Sequence, residues 1–199
     1  MKRLAVLALG LALMAAGSAA AQGLHIVRGV VASVSANSVT ITDRDGKPVV
    51  VGLAPHWTVA VLKPISAEAI VPGSFIGTTE MPQADGSGLS LEVHVFPPGV
   101  KMGEGHYPWD LQPGAMMTNG TVGKVVAVGA GRALDISFPS GTRHVVVPAG
   151  APIVQITPGG DPSLIHPGAS VFLVAGAGPD GGLVTNSIST GVDGAAPPM

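Results

Sequence analysis

The chain has 199 residues and no cysteine, with 29 glycines, 18 prolines, 46% hydrophobic residues, 11% charged residues and a formal net charge of −2. A zinc ribbon, a disulfide framework and a thiol nucleophile each need a sulfur that is absent. The apolar fraction excludes a solvating disordered tail, and the weak negative charge excludes a phosphate-backbone binder.

Residues 1–21 have the three parts of an export signal. Lys2 and Arg3 precede an apolar run from Leu4 to Ala16, and small residues end at Ala19-Ala20-Ala21, after which cleavage is expected. The run is shorter than the roughly 20 residues a spanning helix needs, and no later segment is longer. The mature chain would keep 178 residues with 8 basic and 12 acidic side chains. It is expected in the periplasm, with no membrane span and no nucleic-acid partner.

After the signal the pattern is of short strands. Val39 and Ile41 alternate with Ser38, Thr40 and Thr42, and Val49, Val51 and Leu53 form a second apolar row. Leu89, Leu91, Val93 and Val95 alternate with Ser90, Glu92 and His94, which predicts that the latter three face solvent. Asp-Gly pairs at 45–46, 85–86 and 180–181 supply turns, because glycine takes positive φ without steric cost. Asp43-Arg44-Asp45-Gly46 begins like a calcium loop but lacks the remaining ligands. Ser66 is placed to cap a single helical turn over 66–70, and Asp161-Pro162 opens a matching one.

These elements occur twice. Arg28-Gly29-Val30-Val31 returns as Asn119-Gly120-Thr121-Val122, Pro72-Gly73 as Pro167-Gly168, and Asp85-Gly86 as Asp180-Gly181. The offset is 91 at the first glycine and 95 afterwards, so the second copy has about four extra residues in its first turn. Three strands, a short helix and two strands is the order of an OB-fold, with an irregular β-sandwich as the alternative. The expected architecture is therefore all-β: two tandem five-stranded OB-like barrels, each with a short helix between strands 3 and 4. Barrel 1 would span 22–96, a connector 97–118, barrel 2 119–190 and a tail 191–199.

Several phrases carry a resemblance. Pro-Gly-Ser-Phe-Ile-Gly at 72–77, Leu-Glu-Val-His-Val-Phe at 91–96, Gly-Glu-Gly-His at 103–106, Pro108-Trp109-Asp110-Leu111, Met117-Thr118-Asn119 and Pro197-Pro198-Met199 are similar to a family of uncharacterised exported alphaproteobacterial proteins. That resemblance implies export and OB-like domains of unknown function. Some members are labelled metal-transport permeases, which this chain does not fit, because no later apolar run is long enough to span.

The connector concentrates the chemistry-bearing side chains. It has the only tyrosine and one of two tryptophans, and a segment of this length is either a functional loop or a packed connector. Tyr107, Trp109 and Asp110 are the expected contacts for a small ligand, while in the packed alternative Tyr107, Trp109 and Leu111 fill the seam between the barrels. A metal is the competing reading. Met102, His106, Met116 and Met117, joined by His94, offer thioether and imidazole donors suited to copper, and zinc is less well served. No cofactor is required by any motif. No Gly-x-Ser-x-Gly, His-Glu-x-x-His or phosphate-loop pattern occurs, so a non-enzymatic binding or accessory role is expected, or an adaptor for an envelope protein.

Overall fold

The computed structural model describes residues 23–199, and the expected signal lies outside them. Those residues form twelve strands: β1 (His25–Val34), β2 (Ser38–Asp43), β3 (Pro48–Pro64), β4 (Phe75–Pro82), β5 (Gly88–Val95), β6 (Gly105–Pro108), β7 (Met116–Val128), β8 (Gly131–Phe138), β9 (Gly141–Val147), β10 (Ile153–Gly160), β11 (Ser170–Ala177) and β12 (Leu183–Gly191). The all-β expectation holds. The two expected helices are single 3-10 turns, Ala67–Ala69 and Pro162–Leu164. Ser66 makes no side-chain cap, contrary to expectation, whereas Asp161 accepts a hydrogen bond from the Ser163 amide.

The first half of the chain has three strands before its 3-10 turn and two after it, the second half has four before and two after, and the closure differs from the expected one. β1, β2 and β3 pair in sequence, and the ring is completed by β12, parallel to β3, and by β11, antiparallel to both β12 and β1. The other ring runs β7-β8-β9, then β5 parallel to β9, then β4, which returns to β7. Each ring thus takes three strands from one half of the chain and two from the other. Residues 22–96 and 119–190 are two halves of the chain, not the two rings.

The cores follow the same exchange. Val27, Val31, Val39, Ile41, Val51 and Val59 of the first half pack with Ile165, Val171, Leu173 and Ile188 of the second. Ile70, Ile76, Val93 and Val95 pack with Val122, Leu134, Ile136, Val145 and Val147. Ile70 and Ile165 follow the two 3-10 turns, so each turn travels with the strand pair that follows it. The Pro-Gly turns that open β4 and β11 are bonded across the halves in matching fashion. Gly73 N–H donates to Val122 O at 2.8 Å, and Gly168 N–H to Val31 O at 2.8 Å, with φ of +90° and +92°.

The rings meet where β10 lies between β3 and β5. Val61 pairs with Thr157 and Leu62 with Ile156. Leu62, Val154 and Met199 form a small buried cluster at this seam, with Ile156 and Phe172 against it. β3 is irregular at Ala54–Trp57, where His56 has φ of +60°; the second copy breaks into β9 and β10 at the corresponding place.

Candidate functional site

The alternation expected for 89–95 fails at one residue. Thr79 pairs with Glu92 and Glu80 with Ser90, which leaves Leu91 as an extra residue in β5. Beyond the bulge Val93 and Val95 keep the core face and Glu92 and His94 the opposite one, whereas before it Ser90 turns inward to bond Thr78 and Leu89 turns out. Leu89 is partly exposed, while Ser90, Glu92 and His94 are buried, so the prediction that these three face solvent is overturned.

Two rows of paired residues cross β5, β4, β7 and β6 on one face. His94, Gly77, Asn119 and Gly105 form the first, and Glu92, Thr79, Met117 and Tyr107 the second. The Glu92 carboxylate accepts from the Thr79 amide at 2.8 Å and the Thr79 hydroxyl at 2.7 Å, and its other oxygen lies 3.1 Å from His94 Nδ1. Nδ1 is therefore the protonated nitrogen, since a carboxylate only accepts. His94 Nε2 and Asn119 Oδ1 lie 2.0 and 2.2 Å from where a Gly77 Cβ would be, so they face each other across the glycine. Asn119 donates from Nδ2 to the Tyr107 hydroxyl at 2.7 Å and to Gly103 O at 3.1 Å, and its Oδ1 is buried without a partner. Burial pushes the Tyr107 phenol above its usual range, against the Asn119 hydrogen bond.

Glu92→Ala should cost about 2 kcal/mol in urea unfolding, because it strands the Thr79 amide and His94 Nδ1 in a buried site. Glu92→Gln keeps the acceptor for Thr79 and should cost less than half as much; equal losses would contradict this arrangement.

The opposite face carries a second polar group. Glu80, fully buried, accepts from Arg143 Nε at 2.5 Å, and Arg143 also donates to Gly86 O and Ser87 O. His106 Nδ1 lies 2.8 Å from the Thr118 hydroxyl and 3.9 Å from Glu80, and its ring stacks on Phe138. Desolvation, then the Arg143 charge, lowers the His106 pKa.

The structure divides the metal candidates. His94 and Met117 are on one face, and His106 and Met116 are on the other, since Met116 and Met117 are neighbours in an extended strand. Met102 is exposed in the loop before β6. The five do not form one coordination sphere. Among the described residues, no three His, Asp or Glu side chains come together to hold a metal.

Tyr107, Trp109 and Asp110 are brought together, but around a protein cation. Arg28 donates to both Asp110 oxygens at 2.8 and 2.6 Å and to Met199 O at 2.7 Å. Its guanidinium lies between the Trp109 and Phe172 rings, and Trp109 meets Tyr107 edge-on. The connector thus links β1, through Arg28, with β7, on which β6 pairs. Trp109 Nε1 is buried without a partner. Repeat-equivalent positions have diverged here: Arg28, Phe172 and Ser189 stand in one ring where Asn119, Gly77 and His94 stand in the other. Sequence reasoning missed Arg28, Glu80, Asn119 and Arg143, of which only Arg28 and Asn119 lay in a repeated phrase.

The Arg28 hydrogen bonds hold the Asp110 carboxyl below its usual range, against some desolvation. A depressed carboxylate stabilises above its unfolded pKa and loses that contribution as pH falls through the folded value. Asp110→Asn should therefore cost about 1 kcal/mol at pH 7, an exposed-pair magnitude, and the deficit should shrink as pH falls through the folded value. A deficit that persists at acid pH would show that packing and not charge holds the connector. The chain matches no protein-family model, no curated protein and no solved structure.

Proposed function

We propose that the chain is a non-enzymatic binding or accessory protein of the periplasm, built from two OB-like barrels that share their strands. The order 1-2-3-5-4 in each ring, with strands 3 and 5 parallel, supports the barrel type. The export signal and the likeness to uncharacterised exported alphaproteobacterial proteins support the compartment. His106, Tyr107 and Asp110 of the connector are engaged internally, so the recognition surface we favour is the apolar groove beside its first residues. Val71, Phe75, Phe96, Pro98, Val100 and Lys101 line a groove of about 450 Å³, and this is the observation that carries the reading. Phe75 and Phe96 meet edge-on, and the Lys101 ammonium lies over Phe75. Such a wall suits an extended, proline-containing peptide with an acidic residue, as an envelope partner would present.

Titrating the isotopically labelled protein with short proline-rich peptides, with and without aspartate, tests this. Shifts confined to Phe75, Phe96, Val100 and Lys101, weakened at least about threefold by Lys101→Glu, would support it. Shifts absent or spread over the surface would refute it. A copper-binding role is the second reading. A carboxylate that orients an imidazole is the usual support for a metal-ligating histidine, and the loop that seats Gly103 on Asn119 carries Met102. Cuprous titration with His94→Ala and Met102→Ala separates it; equal uptake by all forms would end it.

A further inference from the structure

The exchange of strands gives this chain a partner that its own sequence specifies. We infer that the two halves are complementary binding units, and that the chain can form a reciprocal dimer in which residues 23–96 of one copy close their rings with 119–191 of another.

Every pairing that closes a ring across the halves, β1–β11, β3–β12, β4–β7 and β5–β9, is indifferent to whether the strands belong to one chain. The same applies to the β3–β10 and β5–β10 pairs at the seam. What favours the single-chain form is the connector. It raises the effective concentration of one half at the other to roughly millimolar, and the Arg28–Asp110 pair and the short β6–β7 ladder fasten it down.

The geometry shows when that form becomes inaccessible. Val95 of β5 and Gly120 of β7 flank Ile76 of β4, so β5 and β7 run in the same direction. The chain leaving β5 must therefore travel back along the sheet, roughly 20 Å, to enter β7 at Met116. A connector too short for that return leaves each half able to close its rings only on another molecule. β5 and β7 would then join as one continuous strand between two globules.

Deleting residues 98–115 joins Pro97 directly to Met116, a span of about 3.8 Å where roughly 20 Å is required. Sedimentation should find this variant dimeric at micromolar concentration and the parent chain monomeric there. Cysteines at Val30 and Ser170, which pair across the halves, identify the kind of dimer in this otherwise cysteine-free chain. In the deletion variant that disulfide should link two chains on a non-reducing gel, and in the parent it should stay within one. A folded monomeric deletion variant, or a dimer with only intrachain disulfides, would overturn the inference. Should the variant not fold, refolding the intact cysteine pair at about 1 mM and about 1 µM decides the matter. Interchain disulfides that increase at least tenfold at the higher concentration support the inference, and an equal yield of monomer at both overturns it.

Discussion

Arg143→Met should lower stability by about 3–4 kcal/mol at pH 7.5 and by only about 1–2 kcal/mol at pH 4. Glu80 is fully buried, its Oε1 is held by Arg143, and its Oε2 has no partner. Desolvation raises the Glu80 pKa, and the Arg143 hydrogen bond and charge oppose that shift. A carboxyl with a raised folded pKa favours folding while protonated, below its unfolded pKa of about 4.3, and that contribution is lost as pH rises through the folded value. Without Arg143 the folded value moves further up, so the cost of ionisation is fully present at neutral pH. At pH 4 the carboxyl is largely protonated, and what remains is the loss of the bonds to Gly86 O and Ser87 O. His106 is the other titratable group facing Glu80, and it is unchanged in the variant. Urea unfolding at the two pH values measures the difference, and an equal deficit at both would mean that Arg143 acts by packing alone.

Gly29→Ala is expected to cost about 3 kcal/mol, which lowers the melting temperature by about 6–12 °C in a chain of this size. The added Cβ would lie 2.0 Å from Thr42 O and 2.8 Å from Thr42 C. These are backbone atoms of β2, paired with β1 through residues 39–43, so they cannot move without disturbing the ladder. The strand changes partners here. Residues 25–30 of β1 pair with β11, and residues 29–34 pair with β2. Gly120 stands at the matching point of β7, where a Cβ would lie 2.5 Å from Ser137 O, and Gly120→Ala should be similarly damaging. Gly176 has nothing within 4 Å of its Cβ direction, and Gly176→Ala should be neutral to slightly stabilising. Thermal denaturation of the three variants tests the ranking; a Gly29→Ala chain as stable as Gly176→Ala would contradict the close approach.

Much of this was legible from the residues because turns are local. The Asp-Gly pairs, the Pro-Gly turns and the alternation of Val39 and Ile41 depend on φ and on a period of two, and all are found as read. The matched phrases at offsets of 91 and 95 correspond to matched hydrogen bonds at Gly73 and Gly168. Closure was not legible, because apolar strands that pair within a copy or across copies carry the same pattern. Val30 could close on Phe75 or on Ser170 with no change in its own sequence. The Glu92–His94 pair was missed for a different reason. Glu92 and His94 do lie opposite the core residues Val93 and Val95, as the alternation gives, but that face is covered by Met117, Asn119 and Tyr107, which pair in from β7 and β6, and burial by distant strands leaves no mark in a period of two. Tyr107 and Trp109 make the connector distinctive in the sequence, but its anchor, Arg28, lies far off along the chain and carries no local mark of that contact.

The exchange of strands between halves is the central claim, and cysteine pairing tests it most directly. Val30 and Ser170 are register partners on β1 and β11, within the reach of a disulfide. Closure within a copy would instead put Val30 beside Phe75, since Phe75 pairs with Thr121, the repeat equivalent of Val30. In the full-length chain at micromolar concentration, oxidation of Val30→Cys/Ser170→Cys should give a complete intrachain disulfide, and Val30→Cys/Phe75→Cys should leave both thiols free. A disulfide in the second variant and free thiols in the first would show that the rings close within the copies.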